Sequence, residues 1–182
     1  YGVRHRIAGY EDLKGLVIRV AGGEANLRRL HAFGAEAQVV AWPDLSAALA
    51  RGTITGILTT HETIVSAQLW KDGVSWVFED REYFPQYVPI IAGKLWNSLS
   101  EDLQQTIIAT WEEQVTSARA LAAEAQDEAR AALKSHGIGI TTPSPAILAG
   151  ARQRLMAQQE ALVEALGIDP VLAHQVADQL PP

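Results

Sequence analysis

The sequence predicts an α/β fold with a parallel-rich sheet. Three observations carry this. Short β-branched runs alternate with helical stretches through the first half, the unit pattern of parallel βαβ folds. One helix of exceptional length follows. Hydrophobic residues make up 48% of the 182 positions and charged residues 20%, within the range of globular domains.

The elements follow in chain order. Leu16-Val17-Ile18-Arg19-Val20 reads as a buried strand that breaks at Gly22-Gly23. Glu24 to Phe33 reads as a helix, with Leu27, Leu30 and His31 at helical spacing and Gly34 as its stop. Gln38 to Trp42 is a second strand. Pro43 opens a short helix through Leu49 that stops at Gly52, with proline at the start and glycine past the end. Thr53 to Thr59 is a third strand. Val74 to Phe78 and Tyr87 to Ala92 also read as strands.

Ser98 or Ser100 then caps a long helix, with Glu101 and Asp102 at its positive end. Leu103, Ile107, Trp111, Val115, Ala118, Ala122, Ala125, Ala129 and Leu133 step by three or four and form one apolar stripe. The stripe is too rich in small residues for a leucine zipper, so the helix is expected to pack along something larger. It runs to about Ser135 and stops at Gly137. Gly137 to Thr142 reads as a short strand, Ala146 to Leu166 as an amphipathic helix, and a last helical stretch ends near Leu180.

Composition narrows the function classes. The net charge is −6 and no basic stripe exists, which argues against nucleic-acid binding. With no cysteine, a disulfide and a cysteine-ligated zinc site are excluded. No apolar run has the length of a membrane span. No basic segment followed by an apolar one marks a leader. The catalytic signatures GxSxG, HExxH and the P-loop are absent, so no cofactor, metal or catalytic residue is assigned. His5, His31, His61, His136 and His174 are scattered without metal-ligand spacing. Gly22-Gly23-Glu24 lacks the spacing of a dinucleotide fingerprint.

Arg19 is the informative residue, because a lone arginine in an apolar strand is costly unless partnered. Two readings stand on position alone: a buried guanidinium with a task, or a strand-end arginine in water or bonded to a nearby acid.

Several motifs then point to one family. Asp12-Leu13-Lys14-Gly15-Leu16-Val17-Ile18-Arg19-Val20 is similar to the DLKGLKIRV strand of the extracytoplasmic solute-binding proteins of TRAP-type transporters. Gly34-Ala35, then Val39 to Leu45, then Ala48-Leu49 and Gly52 resemble that family's next stretch. Trp96 to Gln104 resembles its W-x-S-L-x-x-D-L-Q segment, and Gly137 to Thr141 its late strand.

The resemblance implies a type II periplasmic-binding fold, with two α/β lobes, a hinge and a long helix spanning both. Residues 1–100 would be the second ligand-binding lobe, and 101–182 the spanning helix, a short strand and the C-terminal helices. The first lobe and the leader are expected to be missing from this chain. A small carboxylate ligand, membrane permease subunits as partners and a periplasmic location are implied. If the first lobe is missing, the surface that normally faces it is expected to be exposed or covered by another copy of the chain, and a half-uncovered helix stripe would be an association site.

The resemblance also implies site residues. Arg19 matches the arginine that clamps the ligand carboxylate, a task suited to the bidentate geometry of a guanidinium. Arg4, in Gly2-Val3-Arg4, matches a second family arginine in a GxR segment, though the loop after it is shorter here. Trp42 falls at an aromatic position that walls the pocket; a core tryptophan is the other reading. Where many members carry DGQENP, this chain has Thr55 to Thr63, closer to a subgroup with small hydroxyls. Thr59 and Thr60 then replace the family's asparagine as ligand donors and acceptors. A ligand-sensing domain of a signalling protein and an enzyme on a similar scaffold are the alternative classes.

Overall fold

The computed structural model describes residues 1–81, 85 and 87–179. Among these residues six strands form one sheet: β1 (Gly2–Val3), β2 (Val17–Val20), β3 (Glu36–Val39), β4 (Gly56–Ile57), β5 (Trp76–Phe78) and β6 (Gly139–Thr141). Their spatial order is β3-β2-β4-β1-β5-β6. β2 pairs in parallel with β3 and β4, and β5 with β6. β1 lies antiparallel between β4 and β5 and so joins the two parallel groups. The C-terminal ends of β2, β3, β4, β5 and β6 therefore share one end of the sheet, and the start of β1 lies there too.

Among the described residues eight α-helices accompany the sheet: α1 (Glu24–Ala32), α2 (Leu45–Arg51), α3 (His61–Ser66), α4 (Gly93–Trp96), α5 (Glu101–Ser135), α6 (Pro145–Met156), α7 (Gln159–Ala165) and α8 (Pro170–Asp178). Both faces of the sheet are covered, which explains why the strand segments read as nearly continuous apolar runs. Alternation sends successive side chains to opposite faces. Ile18, Val20 and Phe78 join Leu30 and Phe33 of the α1 side, with Tyr10, Leu13 and Ala151. Ile57 and Val77 join Leu45, Leu49, Ile64 and Leu133 on the side of α2, α3 and α5.

Two glycines are fixed by geometry. Gly52 ends α2 in the left-handed region at φ 74°. At Gly56 a Cβ would stand 2.7 Å from Val3 Cγ1 and 2.9 Å from the Gly2 carbonyl oxygen, so β4 and β1 meet closely only around a glycine.

The parallel-rich sheet and the 35-residue α5 match the sequence expectation, and Ser100 is the residue that caps α5, accepting from the Leu103 N–H at 3.4 Å. Other expectations are corrected. The strand expected over 38–42 lies at Glu36–Val39, and Trp42 instead opens a 3-10 turn, Trp42–Asp44. The strand expected over 53–59 has a ladder only at Gly56–Ile57. Its flanks still bond β2, from Thr55 N to Val17 O at 2.8 Å and from Leu58 N to Arg19 O at 3.0 Å.

Residues 87–92 form no strand. Tyr87 is 96% exposed and Ile90 88%, and neither belongs to a strand of the six-stranded sheet. The helix expected over Ala146–Leu166 is two, α6 and α7, which part at Ala157 and Gln158, where Leu155 is packed on the core. The last helix ends at Asp178, and Leu180 lies outside the described residues. β1 and α3 were not foreseen.

Only the last third of α5 is seated. Ala129 and Leu133 are buried, whereas Leu103, Ile107 and Trp111 of the apolar stripe are exposed. No helix among the described residues is long and apolar enough to cross a membrane.

Candidate functional site

Parallel strands direct their carboxyl ends, and the loops that follow, to one rim, where α/β sheets hold ligands. Arg19 is the penultimate residue of β2 at this rim and is 7% exposed. Its Nε donates to the Val40 carbonyl oxygen at 2.9 Å, which fixes the plane of the guanidinium against the end of β3. Its guanidinium carbon lies 5.7 Å from the centre of the Trp42 ring, within cation–π range. Trp42 is half exposed, so it is not a core tryptophan.

Thr59 and Thr60 follow β4 at the same end. Thr60 is the N-cap of α3: its Oγ1 accepts from the Thr63 N–H at 3.3 Å and lies 3.0 Å from Thr63 Oγ1. That hydroxyl is therefore committed to the strand-to-helix corner. Thr59 has no such cap to serve.

Arg4 is not brought to this rim. Because β1 is antiparallel to β4, Arg4 emerges at the other end of the sheet, with its N–H on the Thr55 carbonyl oxygen at 3.2 Å. Its Nη2 donates to the carbonyls of Leu49 and, at 3.1 Å, Asp72. These bonds hold α2 to the turn before β5. The shared GxR spelling could not reveal this, since strand direction decides it.

Two polar clusters that sequence reasoning passed over complete the rim. In the first, Arg29 of α1 donates from Nε to the Tyr1 hydroxyl at 3.1 Å and from Nη2 to Asp80. The side chains of Arg29 and Asp80 are 11% and 7% exposed. Burial, and then the nearby Asp80 carboxylate, push the Tyr1 phenol well above its ordinary value, so it stays protonated.

In the second cluster, Glu79 accepts from Arg130 of α5, at 2.5 Å from Nε and 3.3 Å from Nη2, and from Thr142 Oγ1 at 2.6 Å. His61 Nε2 stands 3.3 Å from the same carboxylate. The available signal was two acids, Glu79 and Asp80, placed directly after an apolar strand.

This second cluster makes stability depend on pH. Burial pushes the Glu79 carboxyl up, but the bonds from Arg130 and Thr142 outweigh it and hold it below the usual carboxylate range. A depressed carboxyl stabilises the fold above its unfolded value, and that contribution is lost as pH falls from about 4.3 through the folded value. Burial holds His61 below its ordinary value despite the attraction of Glu79. The unfolded chain then binds that proton first, and stability also falls below about pH 6.5. The difference in melting temperature between wild type and Glu79→Gln is expected to shrink as pH falls from 5 to 3. A constant difference over that range would show that Glu79 titrates as an exposed acid.

Two surface grooves lie elsewhere, one between α1 and the α6–α7 junction and one between α3 and α5, and neither is lined by Arg19, Trp42 or Thr59.

Comparison with known proteins agrees with this architecture. Among solved structures, the chain is similar to a TRAP periplasmic solute binding protein from Xanthobacter autotrophicus Py2 with bound β-D-galacturonate. The TM-score is 0.83 at 19% identity, covering 97% of this chain and 57% of that one. It is similar to one from Shewanella oneidensis with bound succinate, with a TM-score of 0.80 at 19% identity over 90% and 53%. A third, from Ralstonia eutropha H16 with bound (S)-2-acetolactate, gives 0.74 at 22% identity over 91% and 55%. The chain thus spans about half the length of the structures it matches. At these identities the likeness shows the fold. No curated protein matches the sequence. The model of the bacterial extracellular solute-binding proteins, family 7, matches residues 1–165. The family read from the strand and helix motifs is the one this match returns, and the chain belongs to the bacterial extracellular solute-binding proteins of family 7.

Proposed function

We propose that the chain is the Arg19-bearing half of a periplasmic substrate-binding component of a TRAP-type transporter. It captures a small organic acid anion and delivers it to membrane permease subunits. One observation carries the reading: at the carboxyl end of a parallel strand lies an arginine that is only 7% exposed, Arg19, fixed by Val40 and backed by Trp42. A guanidinium whose plane is already set loses little freedom when a carboxylate meets it. Trp42 offers a flat apolar face beside the charge, and Thr59 a hydroxyl for the remainder of the ligand. Thr60 acts by holding the corner that presents Thr59. Arg4 has no part in this reading. Closure of a second lobe over the anion follows the hinge mode of binding proteins.

The test is calorimetric titration of the full-length protein with succinate, galacturonate, glucuronate and orotate, each beside its neutral amide. These acids are bound by proteins of similar fold. At least one acid is expected to bind while its amide does not. Equal binding of acid and amide would defeat the carboxylate reading.

A further inference from the structure

We propose that Gln126 of α5 is a positioning residue for the candidate site, on the reading above that Thr59 meets the ligand: it holds the start of α3 and, through it, the corner that presents Thr59.

The corner has little of its own to fix it. The ladder of β4 covers only Gly56 and Ile57, and beyond it the Leu58 N–H still reaches the Arg19 carbonyl oxygen at 3.0 Å. The chain then turns through Thr59 and Thr60 into α3, a helix of six residues. The first four N–H groups of a helix find no acceptor inside it, and in a helix this short they are most of its donors. Such a helix depends on what caps it and packs on it, because its own ladder is too short to sustain it.

Two caps are present, and they differ in origin. Thr60 Oγ1 accepts from the Thr63 N–H at 3.3 Å, a bond within the corner itself. The Glu62 N–H donates to Gln126 Oε1 at 3.3 Å, across 64 positions of chain. The first bond moves with the corner and cannot fix where it sits. The second ties the corner to another element. α5 suits that task, because it packs along α3 as extensively as any two elements of the fold touch. Ile64 of α3 and Leu133 of α5 are both buried in one core cluster.

Arg130 reinforces the bond. It stands four residues after Gln126, on the same face of α5. Its guanidinium meets both oxygens of Glu79, and His61 Nε2 stands 3.3 Å from that carboxylate. His61 and Glu62, consecutive residues at the start of α3, are thus both held from one face of the long helix. His61 is held through its side chain and an intermediary. Gln126 bonds the backbone directly, two residues after Thr60, and so constrains the path of the chain out of the corner.

The test is Gln126→Met, read in two ways on the full-length protein. Methionine is of similar length and favours a helix, but supplies no comparable acceptor. Gln126 is only partly covered, so the change leaves the core intact. The first readout needs no ligand. The Glu62 amide should exchange faster with solvent, and the amide resonances of Thr59 and Thr60, assigned through their serine variants, should shift. Gln126→Glu keeps an acceptor at the same reach and should leave them near their wild-type positions. Unmoved Thr59 and Thr60 resonances in Gln126→Met, with or without a lower melting temperature, would overturn the proposal and leave Gln126 as an ordinary structural contact. The second readout is a double-mutant cycle by calorimetry with an acid that binds wild type. Thr59→Val should weaken binding about five-fold, the share of one neutral hydrogen bond. Gln126→Met should cost no more than that, and in the Thr59→Val background it should cost less than about two-fold further, because the contact it serves is already gone. Additive losses, or wild-type affinity in Gln126→Met where Thr59→Val is weakened, would also overturn it. If no acid binds, or Thr59→Val binds as tightly as wild type, the reading of the site fails instead, and the resonances alone decide the role of Gln126.

Discussion

Arg19→Ala in the full-length protein is expected to lose tens- to thousands-fold in affinity for its organic acid. Removing one partner of a buried charge pair costs on the order of 2–5 kcal/mol, because the other charge is left desolvated. The structure adds a second reason. The Arg19 side chain also ties β2 to the end of β3 through Val40 and stands against Trp42. Alanine would release the aromatic wall together with the charge. Arg19→Lys should recover part of the affinity, since an ammonium supplies charge without a planar fork and cannot reproduce the Nε bond. Thr59→Val should cost less, near one neutral hydrogen bond, about 1 kcal/mol. Calorimetry with an acid that binds wild type gives the order, and thermal melting of the ligand-free variants separates lost binding from lost fold. Wild-type affinity in Arg19→Ala would make Arg19 a structural strand-end residue and end the clamp proposal.

The largest effect on stability is expected from Phe78→Ala. Phe78 is 0% exposed and is among the largest fully buried side chains of the described residues. It meets Tyr10 edge-on at 5.1 Å and Tyr1 at 6.4 Å, and Tyr10 in turn stacks on Phe33 at 4.3 Å. Its removal opens a cavity beside the Tyr1 and Tyr10 rings. Phenylalanine-to-alanine changes in cores cost roughly 3–5 kcal/mol. For a chain of this size that lowers the melting temperature by about 6–20 °C. Phe78→Leu should recover a substantial share, as it leaves a smaller void. A fall of less than about 2 °C in Phe78→Ala would mean that the rings close over the gap. Because Phe78 directly precedes Glu79 and Asp80, the same variant should also loosen both polar clusters at the rim.

Elements with strong local signals were legible in the sequence. The start of α5 is written in Ser100, Glu101 and Asp102, and its end in the residues before Gly137. Arg19 stood out because an apolar strand has no ordinary use for it. What escaped depends on pairings distant along the chain. β1 has two residues, too few for any period, and exists because β4 and β5 lie on either side of it. Tyr87 to Ala92 has a strand's composition, yet composition records apolarity and not whether a neighbouring edge is present. α3 carried a usable signal in Thr60 followed by Glu62, the pattern of a helix start. The resemblance to a family strand end obscured it. Arg29 and Asp80 lie 51 positions apart, and nothing local to either announces the other.

The placement of β1 has a consequence for the order of assembly. β2, β3 and β4 are close in the chain, with α1 and α2 between them, and can pair through short loops. β5 and β6 are separated by the whole of α5. Between the groups the ladder runs through β1 alone, whose flanking bond from Tyr1 to Phe78 spans 77 positions, while Thr141 reaches Ile7 across 134. Contacts so distant return nothing until a large loop has been closed, and they slow folding accordingly. The group around β2 can therefore form early, while the sheet as a whole waits for its shortest strand to be gripped from both sides. Closing that two-residue seam is thus the step on which the rate of folding is expected to depend.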